Sequence, residues 1–301
     1  MQRPWYARRR SAGDVAFSVF NTLFLVLFCL TILYPFWTTL LLSFSPPDEV
    51  LSLGFRIWID EWATTAYRFA FSQYGNVITA YANSVYRTVV GTVLTVLFTM
   101  IAAYPLAKKN LPGRTALTVV VLITMFFSGG LIPLYLVVRS LGLIDSRWSL
   151  ILPALTVGFY IIIMRNFFMT VDTSYEEAAF MDGANYLQIL FRIIVPLSKP
   201  VIATIALWHA VWHWNEWLYA LIFLNDESLL VLQRLLRRML RDLTQVEEAL
   251  IDQFESVEEV RLPSAALRAA ITIITIGPII LLYPFVQKYF IKGIFIGSLK
   301  G

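Results

Sequence analysis

The chain contains two histidines, and both lie in one short stretch with an acid: His209, His213 and Glu216 stand at i, i+4 and i+7. At 3.6 residues per turn a helix brings all three onto one stripe. Two imidazoles and a carboxylate at that spacing are zinc-ligand chemistry, but no fourth ligand and no catalytic base stand nearby, and no metal is assigned. The neighbours are aromatic instead: Trp208, Trp212, Trp214, Trp217 and Tyr219, with Asn215 among them. At about 100° per residue, Trp208, Trp212, Asn215 and Tyr219 fall within about 60° of one another beside the His/Glu stripe. Rings that stack on the apolar faces of a sugar, next to groups that hydrogen-bond its hydroxyls, suit a carbohydrate chain. Trp208, Trp212, His213, Asn215, Glu216 and Tyr219 are therefore the candidate pathway residues. The competing reading is packing against a neighbouring chain, with Glu216 paired to an arginine or histidine.

Other catalytic signatures are missing from the sequence. It has no G-x-x-x-x-G-K-[ST] to cradle nucleotide phosphates, no G-x-S-x-G elbow, and no paired carboxylates outside one solvated acidic run. No enzyme activity is expected of this chain. Its single cysteine, Cys29, permits no intrachain disulfide.

The elements that must carry the aromatic stripe are membrane spans. Of 301 residues, 58% are hydrophobic and only 15% charged, against roughly 25% in soluble domains. The residues without a charge fall in blocks at 15–47, 88–107, 115–138, 148–164, 200–215 and 269–287, and blocks of about 16 to 33 residues match a bilayer. The fifth continues past Glu216, so one span is expected near 201–224 with an acid inside it. The first is too long for a secretory signal core of about 7–15 residues and reads as a retained helix. The expectation is an all-α bundle of six transmembrane helices, a single domain over 15–300 preceded by a short N-terminus at 1–14.

The charges orient it. Arg3, Arg8, Arg9 and Arg10 precede the first span, Lys108, Lys109 and Arg114 lie between the second and third, and Lys288, Lys292 and Lys300 follow the sixth. By the positive-inside rule both termini are cytoplasmic. The net charge of +4 is thus a topology signal, and no nucleic-acid partner is inferred. Gly129, Gly130 and Pro133 predict a break in the third span, and Pro105, Pro278 and Pro284 predict bends in theirs. Aromatics of the first outer stretch, Trp58, Trp62, Tyr67, Phe69 and Phe71, read as an interfacial belt. A second outer segment, 226–268, begins with Leu229, Leu232, Leu235, Leu236, Met239, Leu240 and Leu243 at helical spacing, with Arg234, Arg237, Arg238 and Arg241 between them. That pattern predicts an amphipathic helix on or near the membrane, continuing into solvated acids from Glu247 to Glu259.

The cytoplasmic loop at 166–199 is far longer than the 2–8 residues usual between packed helices. Thr173 or Ser174 can cap a helix whose first turn holds Glu176 and Glu177. Ala178, Ala179 and Met181 continue it, Gly183 supplies a turn, and Tyr186, Leu187, Leu190, Phe191 and Ile194 form a second apolar face up to Pro196. A helix, a turn and a helix across the inner face is a shape for insertion into another protein. Glu177-Ala178-Ala179, three residues, Gly183, nine residues, Ile193, one residue, then Val195-Pro196 resembles the EAA loop of inner-membrane permease subunits of binding-protein-dependent ABC importers, with Val195 replacing a leucine. The C-terminal Gln287–Gly301 stretch, QKYFIKGIFIGSLKG, is similar to the tail of the carbohydrate-uptake subfamily, in particular the smaller maltose-type permease.

This resemblance implies a type I importer bundle in a bacterial inner membrane, half of the translocation pathway for an oligosaccharide, an acidic one such as a uronate oligomer included. It implies coupling through Glu177, Ala178, Ala179, Asp182, Gly183 and Pro196 to two ATP-binding-cassette subunits, which hold the ATP and Mg. It further implies a tail at 288–301 whose Gly293, Gly297, Lys300 and Gly301 enter the ATPase interface, a homologous second permease, an extracytoplasmic solute-binding protein, and membrane lipid around the bundle. The rival readings are a peptide or other-solute importer of the same superfamily, a secondary transporter, which would need coupling charges and usually internal repeats, and an intramembrane metalloenzyme using His209, His213 and Glu216.

Overall fold

The computed structural model describes residues 12–46, 57–73, 76–251, 265–277 and 280. All described elements are helical: α1 (Ala12–Ser43), α2 (Thr65–Gln73), α3 (Val77–Ala107), α4 (Arg114–Phe126), α5 (Leu131–Ser140), α6 (Gly158–Phe168), α7 (Ser174–Met181), α8 (Tyr186–Ile189), α9 (Lys199–Asn215), α10 (Leu218–Phe223), α11 (Leu232–Ile251) and α12 (Ala265–Gly277). The chain divides into two compact units, Met1–Gln73 with Leu243–Ile274, and Tyr74–Asp242 with Thr275–Gly301. Among the described residues, α1 and α3 are long and apolar enough to cross a membrane alone. Three bent pairs each pass the same test together, which raises the number of spans to as many as five. The remainder of the expected sixth span, 278–287 apart from Ile280, lies outside the described residues. So do the basic clusters at Arg3 to Arg10 and Lys288 to Lys300, and the tail residues Gly293, Gly297, Lys300 and Gly301.

In the first unit α1 exposes apolar side chains around its whole circumference until Leu41 and Ser43, which is the pattern of a helix solvated by lipid. At its end Tyr67 of α2 donates to Ser43 Oγ (2.9 Å), the Phe44 and Tyr67 rings meet at 4.9 Å, and Phe44 packs on Trp62. The expected aromatic belt is thereby tied to the end of α1.

The second unit is organised by α3, whose polarity is inverted relative to a helix of a soluble protein. Asn83, Ser84, Arg87, Thr88, Gly91, Thr95 and Thr99 are buried, while Ile78, Val85, Val89 and Val93 are exposed. Small and polar residues allow close helix approach in a membrane, where an apolar face gains nothing from leaving lipid. The helix starts at Val77, three turns before the span expected at 88–107, because the charge that ended the apolar block, Arg87, is buried and paired. Its other end is fastened by two arginines: Arg114 Nε and Arg165 Nε both donate to Leu106 O, at 2.9 and 3.0 Å.

Three spans are broken. α4 and α5 diverge by 112° across Phe127–Gly130, the break expected from Gly129, Gly130 and Pro133. The fourth begins with two 3-10 turns, Arg147–Leu150 and Leu152–Ala154, and bends by 51° into α6. The fifth does not run unbroken over 201–224 as expected. α9 stops at Asn215, Glu216 is extended (φ −72°, ψ 124°), and α10 starts at Leu218. Below α9, at an 85° bend, α8 passes through a π turn (Leu190–Ile194) and one α turn (Val195–Leu197). α11 forms as expected, but Leu232, Leu235, Leu236 and Met239 are buried within the protein, so this stripe is covered by the chain itself and not by membrane. Its first turn is fixed by Ser84 Oγ, which accepts from Leu232 N, and by Asn83, which donates to Ser228 O and Leu230 O.

Candidate functional site: the broken fifth helix and the inner loop

The stripe of His209, His213 and Glu216 faces α3, where Arg87, Gly91 and Thr95 stand at i, i+4 and i+8 on the opposing face. His209 Nε2 and Thr95 Oγ1 are 2.9 Å apart. The His213 ring lies on Gly91, where a Cβ would come within 2.7 Å of Cδ2 and 2.8 Å of Cε1; glycine is the one residue that admits it. Arg87, 2% exposed, donates from Nε to His213 Nδ1 (3.2 Å), from Nη1 to Glu216 O (2.9 Å) and from Nη2 to Glu216 Oε2 (2.6 Å). Glu216 Oε1 in turn accepts from Tyr219 N (2.6 Å), taking one of the orphan donors at the start of α10. The helix breaks at Glu216 because side chains supply the partners that the lost helical turn cannot. A cation of the chain's own thus lies between His213 and Glu216.

The aromatic residues form the outer side of the same construction. Trp212 stacks on His209 (5.5 Å, 13°), meets Tyr219 edge-on at 6.1 Å, and lies 5.9 Å from the Arg87 guanidinium carbon. Trp208 stacks on Phe159 (6.1 Å, 26°) and contacts Tyr160. Trp208 is 39% exposed, Trp212 36%, and Phe159 and Asn215 are exposed too. The candidate pathway residues therefore divide. Trp208, Trp212 and Asn215 present an open surface with Tyr219 half-buried at its end, whereas His213 and Glu216 sit behind it as support. Tyr219 and Leu218 also line a cavity of 590 Å³ whose opposite wall is the break of the third span, Ser128, Gly129 and Gly130 with Leu131 and Pro133. Non-helical backbone within a membrane bundle is tolerated where it lines a cavity, as the third-span break does here beside the first turn of α10. Below α10, Tyr135 stacks on Phe223 and holds α5 to α10.

The second candidate site is the loop between α6 and α9. α7 is capped by Asp172, whose Oδ1 accepts from Ser174 N (2.9 Å), in place of the expected Thr173 or Ser174 side chain. That hydrogen bond holds the Asp172 carboxyl below its usual range. Gly183 adopts φ +79°, and Asn185 with Gln188 forms a capping box for α8. Ala179, Ile189, Leu190 and Ile194 anchor the loop in a core with Tyr104, Met164 and Phe168. Lys108, which follows α3, pairs with Glu176. Glu177, Ala178, Asp182, Gly183 and Pro196 are exposed, as are Tyr175, Phe180, Tyr186, Leu187 and, at 89%, Met181. One side of the loop is bolted to the bundle and the other presents uncovered apolar side chains, the arrangement of a docking element.

The profile of the family described as binding-protein-dependent transport system inner membrane component matches residues 5–296. The chain belongs to this family. It is accordingly a multi-pass transport subunit of a bacterial inner membrane, and ATP hydrolysis resides on separate partner subunits. It is similar to the polygalacturonan/rhamnogalacturonan transport system permease protein YtcP of Bacillus subtilis (strain 168), with 39% identity over 278 residues, 92% of this chain and 96% of the relative. Protein LplC of the same organism is 40% identical over 292 residues, covering 96% of each chain. The fold matches a crystal structure of a bacterial ABC transporter involved in the import of the acidic polysaccharide alginate, with a TM-score of 0.80, 34% identity, and coverage of 94% of this chain and 100% of that one.

Sequence reasoning missed Arg87, Gly91 and Thr95, which the apolar-block segmentation treated as a loop edge and undistinguished span. The signal was present: an intramembrane acid requires a cation, and Arg87 is followed at i+4 and i+8 by residues small enough for close packing.

Proposed function

We propose that this permease forms half of the pathway of an ATP-driven importer for an oligosaccharide bearing carboxylates. The carrying observation is the open aromatic surface of Trp208, Trp212 and Tyr219, with Asn215, leading to the 590 Å³ cavity between two broken spans. The relatives' stated substrates, polygalacturonan, rhamnogalacturonan and alginate, are all acidic sugars, which favours carbohydrate over peptide. In this reading the chain crosses the membrane six times with both termini inside and pairs with a second, homologous permease. A solute-binding protein delivers sugar from outside. The loop from α7 to α8, together with the tail containing Gly293, Gly297, Lys300 and Gly301, engages two ATPases. Closure of the ATPases moves the docked loop as a rigid body and reorients the bundle.

The test is Trp212→Ala and Asn215→Ala in the assembled transporter. Losing the Trp212 stack, or a hydrogen bond from Asn215 to a sugar hydroxyl, each about 0.5–1.5 kcal/mol, lowers transport by roughly 2- to 10-fold while the complex still assembles and hydrolyses ATP. Unchanged uptake in both variants refutes the assignment of this surface to the pathway.

A further inference from the structure

Glu216 is the pivot between Trp212 and Tyr219, two rings in contact on the aromatic surface, the second of which lines the cavity: it follows Trp212 by four residues and precedes Tyr219 by three. Its main-chain carbonyl and one carboxylate oxygen are both held by Arg87, and its other carboxylate oxygen holds Tyr219 N. Arg87 itself gives a hydrogen from each of its three nitrogens and is 2% exposed, so it is committed to protein groups and does not touch substrate. We propose that Arg87 is a positioning residue for transport, acting through Glu216 to hold the Trp212–Tyr219 pair in the geometry that receives the sugar chain.

Two physical consequences support this role. A planar guanidinium reaches His213, a carbonyl and a carboxylate together, whereas an ammonium is a point charge that satisfies one direction at a time. Arg87 also cancels the charge of Glu216, whose side chain is 9% exposed just behind the aromatic surface, so an acidic sugar passing Trp212 does not meet an uncompensated carboxylate. This inference rests on the pathway reading above and names what sets its geometry.

The experiment is transport by the reconstituted complex at saturating loaded solute-binding protein, read as sugar moved per ATP hydrolysed, for the wild type, Arg87→Lys, Glu216→Gln and Trp212→Ala. A residue that merely stabilises the fold changes the amount of complex and scales both rates together, leaving that ratio alone. Arg87→Lys loses two of the three hydrogen bonds that the guanidinium gives to His213, the Glu216 carbonyl and the Glu216 carboxylate and is expected to lower the ratio about tenfold; Glu216→Gln, which turns an amide hydrogen toward a donor, is expected to lower it too. A wild-type ratio in Arg87→Lys overturns the proposal, as does failure of both Arg87→Lys and Glu216→Gln to assemble, which would make the pair a folding element only. If Trp212→Ala keeps the wild-type ratio, the pathway reading itself fails. If Trp212→Ala lowers it and Arg87→Lys does not, only the positioning role of Arg87 fails.

Discussion

Replacing Gly91 with alanine probes the contact between α3 and α9 at its tightest point. The added Cβ would stand 2.7 Å from His213 Cδ2 and 2.8 Å from Cε1, well inside ordinary contact, so the ring must retreat by roughly 1 Å. Overpacking of this kind costs about 1–3 kcal/mol. The ring cannot retreat freely, because Nδ1 accepts from Arg87 Nε at 3.2 Å, and a hydrogen bond to a charged group is worth about 1.5–3 kcal/mol. Losing it adds to the overpacking, for a total of about 2.5–6 kcal/mol. The assay is thermal unfolding of the purified complex, with Gly91→Ala, His213→Ala and the double variant compared in a cycle. Gly91→Ala is expected to lower the midpoint by several degrees. In the double variant the Cβ meets no ring and the hydrogen bond is lost only once, so the two effects are expected to fall short of additivity by the whole Gly91→Ala cost, about 2.5–6 kcal/mol. Additive effects, or a wild-type midpoint for Gly91→Ala, refute the reasoning that His213 is seated on Gly91 between two fixed helices.

Three further outcomes follow from the same geometry. Trp212→Ala, through its lost stack, and Asn215→Ala, through its lost hydrogen bond, are each expected to reduce uptake by roughly 2- to 10-fold in an intact complex, measured with labelled oligosaccharide in proteoliposomes. Gly183→Trp is strained by the φ of +79°, but its Cβ would meet nothing within 4 Å; at a backbone cost of roughly 1–2 kcal/mol the chain is expected to fold while the indole covers the exposed α7–α8 turn. ATPase stimulation by loaded binding protein is expected to drop, and unchanged stimulation removes the docking role of the turn. Asp145 accepts hydrogen bonds from Asn225 N and Asp226 N, which hold its carboxyl below the usual range. A depressed carboxylate contributes stability above its unfolded pKa of about 3.9, lost as pH falls through the lower folded value. Asp145→Asn should therefore melt below the wild type at neutral pH, with the difference closing under pH 4; a difference independent of pH excludes the charge as its source.

Much of the architecture was legible in the residues because membrane insertion depends on composition and order along the chain. The break at Gly129 and Gly130, the helix–turn–helix at the inner loop, and the stop at Gly183 all follow from local backbone chemistry. The EAA-type motif from Glu177 to Pro196 could be read for the same reason: it lies in one continuous segment. The aromatic stripe of α9 was visible by helical spacing alone, since Trp208, Trp212 and Asn215 do share a face that the structure leaves exposed.

Tertiary structure alone decided which charges count. Arg87 reads as the edge of a loop until Glu216, 129 residues away, neutralises it and lets α3 begin at Val77. Glu216 reads as an acid inside a continuous span until Arg87 and Tyr219 N show it as the cap of a new helix. The apolar stripe of α11 reads as a membrane surface until its leucines are found buried. Periodicity reports which residues share a face, a property of one segment. What covers that face, and which opposite charge answers a buried one, depends on contacts between segments far apart in the chain, and in a bilayer that pairing determines where helices start and break.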